Sequence, residues 1–398
     1  MPSPAVLKLF IFVGFVWASL VGPFSAVLIL DNIGATSPQI GVVMAVCSIV
    51  SMVFQPMWGL LSDKIGSPRR VLCICLGSSA LFFGCILFVS NFYLIAGLLI
   101  LDIFFRCGII ALLDSHILLE IKTMPGLQYS HIRMAGSIFF GGLSLVYSGV
   151  INNRGVMAII PFSVCIAVFA LFWGLFIAKG RWEASNDKDI GLKRAKPNLK
   201  KDVASLIKNK PYILLLIFGA LSALAVSPLF VFLIEYVSAA GGHAGQVPLI
   251  HALRCAVEIP MFILVGSFLK NVAAKKLMLA GACFTLVYIT GLLFADSFFL
   301  LALSHVAAGA PGFILGLTGR LRYVNEATPE SVRSTSITLM GTFEIGLGAI
   351  VGNLTAGFVL GAYGTQALTL VSITSISVAI LLLMFMPAYS VFREKSNG

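Results

Sequence analysis

WGLLSDKIGSPRR, residues 58–70, gathers one acid and three bases into a chain that is only 11% charged and 59% hydrophobic. Apolar runs flank it, Gln39 to Leu61 before and Val71 to Val89 after, so the cluster reads as a polar connection between two long apolar segments. The rest of the chain repeats that alternation. Its mean hydropathy of +1.01 over 398 residues lies far outside soluble domains, where roughly half the residues are apolar and about a quarter charged. A hydrocarbon core about 30 Å thick takes about 20 apolar residues per helical span, and within lipid only helices or a closed barrel satisfy the backbone. The runs are too continuous for the alternating strands of a barrel. The expectation is an all-α integral membrane protein.

Turn residues and charges divide the apolar sequence into twelve expected helices. Helices 1 to 6 run Val6 to Leu30, Gln39 to Leu61, Val71 to Val89, Phe92 to Ile121, Tyr129 to Ile151 and Val156 to Ala178. Helices 7 to 12 run Tyr212 to Val237, Gln246 to Leu269, Lys276 to Ala295, Phe298 to Arg320, Ser334 to Leu360 and Gln366 to Met386. The first continues past Pro23, longer than the apolar core of a secretion signal, and is expected to remain as a span. Connections after even-numbered helices carry Lys64, Arg69 and Arg70, then Lys122, the stretch Lys179 to Lys210, Lys270, Lys275 and Lys276, and Arg322 with Arg333. Those after odd-numbered helices carry only Arg154. Basic loops face the cytoplasm, so both termini are expected there, in a membrane of the bacterial inner type.

The net charge of +11 is thus explained by topology and implies no nucleic acid. The longest connection splits the chain into a six-helix bundle over residues 1–178, a basic cytoplasmic linker over 179–211, and a second six-helix bundle with a short tail over 212–398. The halves align at an offset of 207 residues: Gly59 falls on Gly266, Arg69 on Lys276, and GSFLKNVAAKKL lies over GLLSDKIGSPRR. Two similar bundles about a pseudo-two-fold axis can rock around a site at their interface, which is alternating access.

Gly59, Asp63, Lys64, Gly66 and Arg70 resemble the G-x-x-x-D-(K/R)-x-G-(R/K)-(R/K) signature between helices 2 and 3 of major facilitator superfamily transporters, with Ser67 and Pro68 lengthening the turn. The resemblance extends over essentially the whole chain and implies the major facilitator fold. Physically, Asp63 at the end of helix 2 suits the partially positive N-terminus of another helix. The start of helix 11, SVRSTS with Arg333, is the expected counterpart, giving a cytoplasmic gate. Gly59 is expected to let helices approach and Gly66 to make the tight turn.

Ionisable residues at bilayer depth cost at least ~2.5–3.5 kcal/mol on insertion scales and call for a partner or a purpose. Helix 4 carries Asp102 and Arg106, four apart on one face, and Asp114; helix 5 carries Arg133; helix 8 carries His251, Arg254 and Glu258 on one stripe; helices 10 and 11 carry His305 and Glu344. IRMAGS in helix 5, PMWGLLSDKIG in helix 2, SVRSTSITL at helix 11 and LSHVAAGAPG in helix 10 resemble the lactose permease and phenylpropionate permease-like subgroup. That resemblance implies that Arg133 holds substrate with Asp114 as its carboxylate partner, and that His305 serves binding or proton relay.

Two positions depart from the subgroup. Phe140 stands where the lactose permease has a sugar-stacking tryptophan, and Ala308 where it has a proton-carrying glutamate. The candidate substrate residues are therefore Asp114, Arg133, Phe140, Arg254 and His305. The candidate proton-coupling residues are Glu258, Asp102, Arg106 and Glu344, Glu258 first among them because low dielectric raises a carboxyl's pKa.

Cys47, Cys73, Cys75, Cys85, Cys107, Cys165, Cys255 and Cys283 all fall in apolar runs, which suggests neither disulfides nor a metal site. Gly312 with Gly316, Gly348 with Gly352, and Gly357 with Gly361 read as close-packing pairs. No H-E-x-x-H or G-x-S-x-G motif is present. The expectation is a monomeric, cofactor-free secondary transporter rather than an enzyme, its partners a small-molecule substrate, protons and the lipid bilayer. It would carry a sugar or oligosaccharide, an aromatic carboxylate or a nucleoside by proton symport. An exporter and a non-transporting receptor on the same scaffold are the alternatives.

Overall fold

A computed structural model of the chain describes residues 4–20, 22–65, 67–121, 129–177, 206–269, 271–329 and 332–388. Among these, every regular element is helical. Ten segments are long and apolar enough to cross a bilayer. One of them, Leu339–Met384, is divided at Gly364, whose φ of 76° and ψ of −175° break the helix and separate helix 11 from helix 12. The helices Pro4–Ser19 and Gly22–Asn32 together supply helix 1, so the described residues are consistent with the twelve expected passes.

Local chemistry sets the starts. Ser67 is extended at φ −148° and caps helix 3, its Oγ accepting from the Arg70 amide at 3.4 Å, with Pro68 in the first turn where its missing N–H costs nothing. Asn91 caps helix 4 by accepting from the Tyr93 amide at 2.9 Å, and Ser297 caps helix 10.

The interiors are less regular than the sequence suggests. Helix 4 is interrupted between Phe92–Arg106 and Ile109–Ile121. Helix 7 is interrupted between Lys210–Val231 and Leu233–Ala239. Wide π turns occupy Trp173–Ile177, His305–Gly309 and Thr342–Gly348. Helix 10 continues to Ala327, seven residues beyond its expected end at Arg320, because LRYVNEA carries on the turn until Thr328.

By contacts the chain divides into two compact units. The first comprises Met1–Asn186 with Val231–Ser238 and Gly242–Ala256; the second comprises Asp187–Phe230, Ala239–Gly241 and Val257–Gly398. In the first, Phe12, Val13 and Val16 of helix 1 bury against Val71, Leu72 and Cys75 of helix 3 and Leu112 and Leu113 of helix 4. Lipid is as apolar as these side chains, so close backbone approach rather than hydrophobic burial holds such seams. The second unit shows this between helices 9 and 10. A Cβ on Gly319 would lie 2.7 Å from the Met278 amide nitrogen, and one on Gly312 3.0 Å from that of Thr285. Gly348 and Gly352 of helix 11 face helix 7, where added Cβ atoms would meet Ala223 at 2.6 Å and Leu224 at 3.1 Å.

No described atom lies within 4 Å of a Cβ built on Gly59. The close contact belongs to its neighbour: the Trp58 ring system covers Gly108, whose Cβ would be 2.7 Å from that of Trp58, and the indole N–H donates to the Phe104 carbonyl at 2.7 Å.

Candidate functional site

The signature connection is only partly in view. Gly66 and the side chains of Asp63, Arg133 and Arg333 lie outside the described residues. Lys64 and Arg70 are exposed, whereas Arg69 is buried and donates from Nη1 to the Gly174 carbonyl at 2.9 Å, at the π turn of helix 6. The arginine buried in the bundle is thus Arg69.

Within the first unit, the charges of helix 4 close on one another. Asp102 is 1% exposed, accepts from the Ser79 hydroxyl at 2.5 Å, and forms an ion pair with Arg106 one turn later. The Arg106 guanidinium carbon lies 5.9 Å from the centre of the Phe83 ring. Beside them is a cavity of ≈ 20 Å³, lined among others by Ser19, Ser79 and Ser163, enough for about one water. Its walls come from helices 1, 3, 4 and 6. Asp114, further along helix 4, is half-buried.

Helix 5 and the first part of helix 8 meet in the same unit. A Cβ on Gly141 would lie 2.9 Å from the Cβ of Cys255. The half-buried Phe140 and the buried Arg254 and His251 stand beside this crossing in sequence. At the far ends, the Ser37 hydroxyl donates to Glu235 Oε1 at 3.4 Å. Glu235 lies in the Leu233–Ala239 part of helix 7, and Asp31 in the Gly22–Asn32 part of helix 1.

In the second unit, His305 is fully buried at the start of the helix 10 π turn. Its Nδ1 lies 3.0 Å from the Tyr288 hydroxyl, the rings meeting edge to face at 5.0 Å, and Phe230 covers it at 5.5 Å. Glu344 lies in the helix 11 π turn with Oε1 3.3 Å from Arg320 Nε, both side chains 14% exposed. Gly219 of helix 7 provides the room: a Cβ there would be 2.7 Å from Glu344 Cγ. Glu258, on helix 8, is half-buried.

Arg320, Tyr288 and Gly219 escaped the sequence reading. Arg320 was legible only as a helix end, although Thr328 and Pro329 mark the true stop. Tyr288 and Gly219 have no local signal, since their roles arise from the helix that each faces. No group of three or more metal-binding side chains occurs among the described residues.

Residues 5–371 match the MFS_1 like family. A maltose permease of Geobacillus stearothermophilus is 24% identical over 398 residues, covering 99% of this chain and 96% of that protein. The uncharacterized transporter YwbF of Bacillus subtilis (strain 168) is 23% identical over 363 residues, covering 89% and 86%. Among solved structures, the nucleoside transporter NupG superposes with a TM-score of 0.75 at 17% identity, over 96% of this chain and 98% of that one. A bacterial homologue of the human lysosomal transporter Spinster, inward-facing and unoccupied, gives 0.64 at 12% identity, over 97% and 96%.

Proposed function

The chain belongs to the MFS_1 like family of major facilitator transporters, and from that premise we propose that it takes up a sugar or a nucleoside together with a proton, by alternating access across the bacterial inner membrane with both termini cytoplasmic. The observation that carries this reading is the pairing of two membrane arginines with carboxylates. Asp102 neutralises Arg106 and Glu344 neutralises Arg320, which suits a neutral solute better than an aromatic carboxylate. The names of the maltose permease and of NupG support the same classes. The distribution of lysine and arginine supports the orientation.

In this mechanism Asp114, Arg133, Phe140 and Arg254 contact the solute, and the tightly held His305 braces helix 10 through Tyr288. Glu258 carries the proton, while Asp102 and Arg106 hold each other inside their own bundle. Gly59, Asp63, Lys64, Gly66, Arg70 and Arg333 form the cytoplasmic gate, with Arg69 anchoring its loop. One proton moving inward yields ~2.3 kcal/mol per 100 mV, enough to concentrate a solute tens of fold.

Uptake of labelled maltose and uridine into proteoliposomes, under an imposed inward proton gradient, tests the reading. The expected result is accumulation of one of them that collapses with an uncoupler and on Arg133→Ala. Accumulation indifferent to the uncoupler would refute symport, and unchanged uptake by the variant would refute the site.

A further inference from the structure

We propose that Arg320 and Glu344 form a hydroxyl-recognition subsite that takes two adjacent hydroxyls of a neutral polyol, with Gly219 as the notch that positions the carboxylate. The inference rests on the sugar or nucleoside reading above and names the chemistry that those two solutes share.

An ion pair at 3.3 Å would normally saturate itself. This one does not: Arg320 Nε and Glu344 Oε1 are both buried, and neither has a hydrogen-bond partner among the described residues. The two groups attract without alignment, so a donor and an acceptor stand side by side with their hydrogen-bonding capacity unused. Buried polar groups are almost always satisfied, and an exception asks for a ligand or a function.

The shape of the site comes from three helices. Arg320 lies ~10 Å from the end of helix 10 at Ala327, Glu344 ~16 Å from the start of helix 11 at Arg333, and Gly219 ~14 Å from the start of helix 7 at Lys210, at 1.5 Å per residue. The three positions meet within the second unit, through the Arg320–Glu344 pair and the approach of Gly219 to Glu344. The π turn Thr342–Gly348 shifts Glu344 out of the regular helical phase, a distortion common at functional positions. With Gly219 lacking a side chain, the carboxylate lies against helix 7 beside Arg320.

The chemistry selects the ligand. A hydroxyl oxygen can accept from Nε–H while the adjacent hydroxyl donates to Oε1, so a vicinal diol satisfies both atoms at once and leaves the ion pair intact. A carboxylate would satisfy Arg320 and be repelled by Glu344. A monohydroxylated solute would leave one atom unpaired. Glu344 is thereby a solute contact in addition to being the partner of Arg320.

Equilibrium binding of radiolabelled maltose and uridine to the purified full chain in nanodiscs tests this, with deoxy analogues that lack one hydroxyl of a vicinal pair. The wild type is expected to bind one of the parent solutes and to lose about ten-fold or more in affinity for one of its deoxy analogues, as for a hydrogen bond to a charged group. In the uncharged pair variant Arg320→Gln with Glu344→Gln, the parent is expected to bind about ten-fold more weakly and the same deoxy analogue to suffer little further loss. Gly219→Ala, which keeps both charges and displaces the carboxylate, should reproduce the weakening in monodisperse protein. If neither parent binds, the sugar or nucleoside reading falls and the subsite with it. If a parent binds while the deoxy penalty is the same in wild type and pair variant, the subsite alone is overturned and solvent satisfies the two atoms.

Discussion

Replacing Asp102 by alanine isolates the energetics of a charge held within one bundle. The carboxylate is 1% exposed and is the ion-pair partner of Arg106, whose side chain is 15% exposed. Breaking a buried pair from one side costs about 3–5 kcal/mol. Two local features soften the loss. The Phe83 face near the guanidinium contributes about 0.5–1 kcal/mol, and the adjoining cavity of ≈ 20 Å³ can admit a water to Arg106. The expected net cost is about 2–3 kcal/mol, equivalent to a fall in Tm of about 3 °C for a chain of this size. Asp102→Asn combined with Arg106→Met removes both charges at similar volume and should recover most of that loss. A thiol-reactive dye reporting on the buried cysteines during heating in detergent measures both variants, and the uptake assay measures coupling. Equal destabilisation of the single and paired variants would refute the ion-pair reasoning. Loss of gradient dependence in a well-folded paired variant would show instead that these residues carry the proton.

Gly281→Ala places a Cβ 3.0 Å from the Gly312 carbonyl and against the Gly316 backbone, so thermal unfolding should show a loss of about 1–3 kcal/mol. Gly316→Ala, where a Cβ meets nothing within 4 Å, should change stability by less than about 0.5 kcal/mol, and equal effects would contradict the described seam. Gly141→Cys should form a disulfide with Cys255 under mild oxidant, since a separation of 2.9 Å needs only a small relaxation to the ~3.5–4.5 Å of a disulfide; mass spectrometry of oxidised protein checks it, with Cys255→Ser as control.

Much of the architecture was legible because lipid imposes so narrow a choice. Twelve apolar runs and their basic connections are one-dimensional features, read from composition and spacing. The interruptions in helices 4 and 7 and the π turns were not legible, because each residue there remains helical in character and only the neighbouring helix decides where the ladder slips. For the same reason Gly108 and Gly219, without any motif, are where neighbouring side chains must fit.

The sequence by itself determined that the chain spans a membrane as helices, and it marked most of the charges that such a medium makes expensive. Only the tertiary structure decided their partners. Asp102 and Arg106, one turn apart, could be matched by counting. Arg320 and Glu344 could not, because they sit on different helices. Their meeting depends on how far helix 10 extends, on the phase shift of a π turn, and on a missing side chain in helix 7. A charge in lipid must find a counterpart, but its distance along the chain does not say which one.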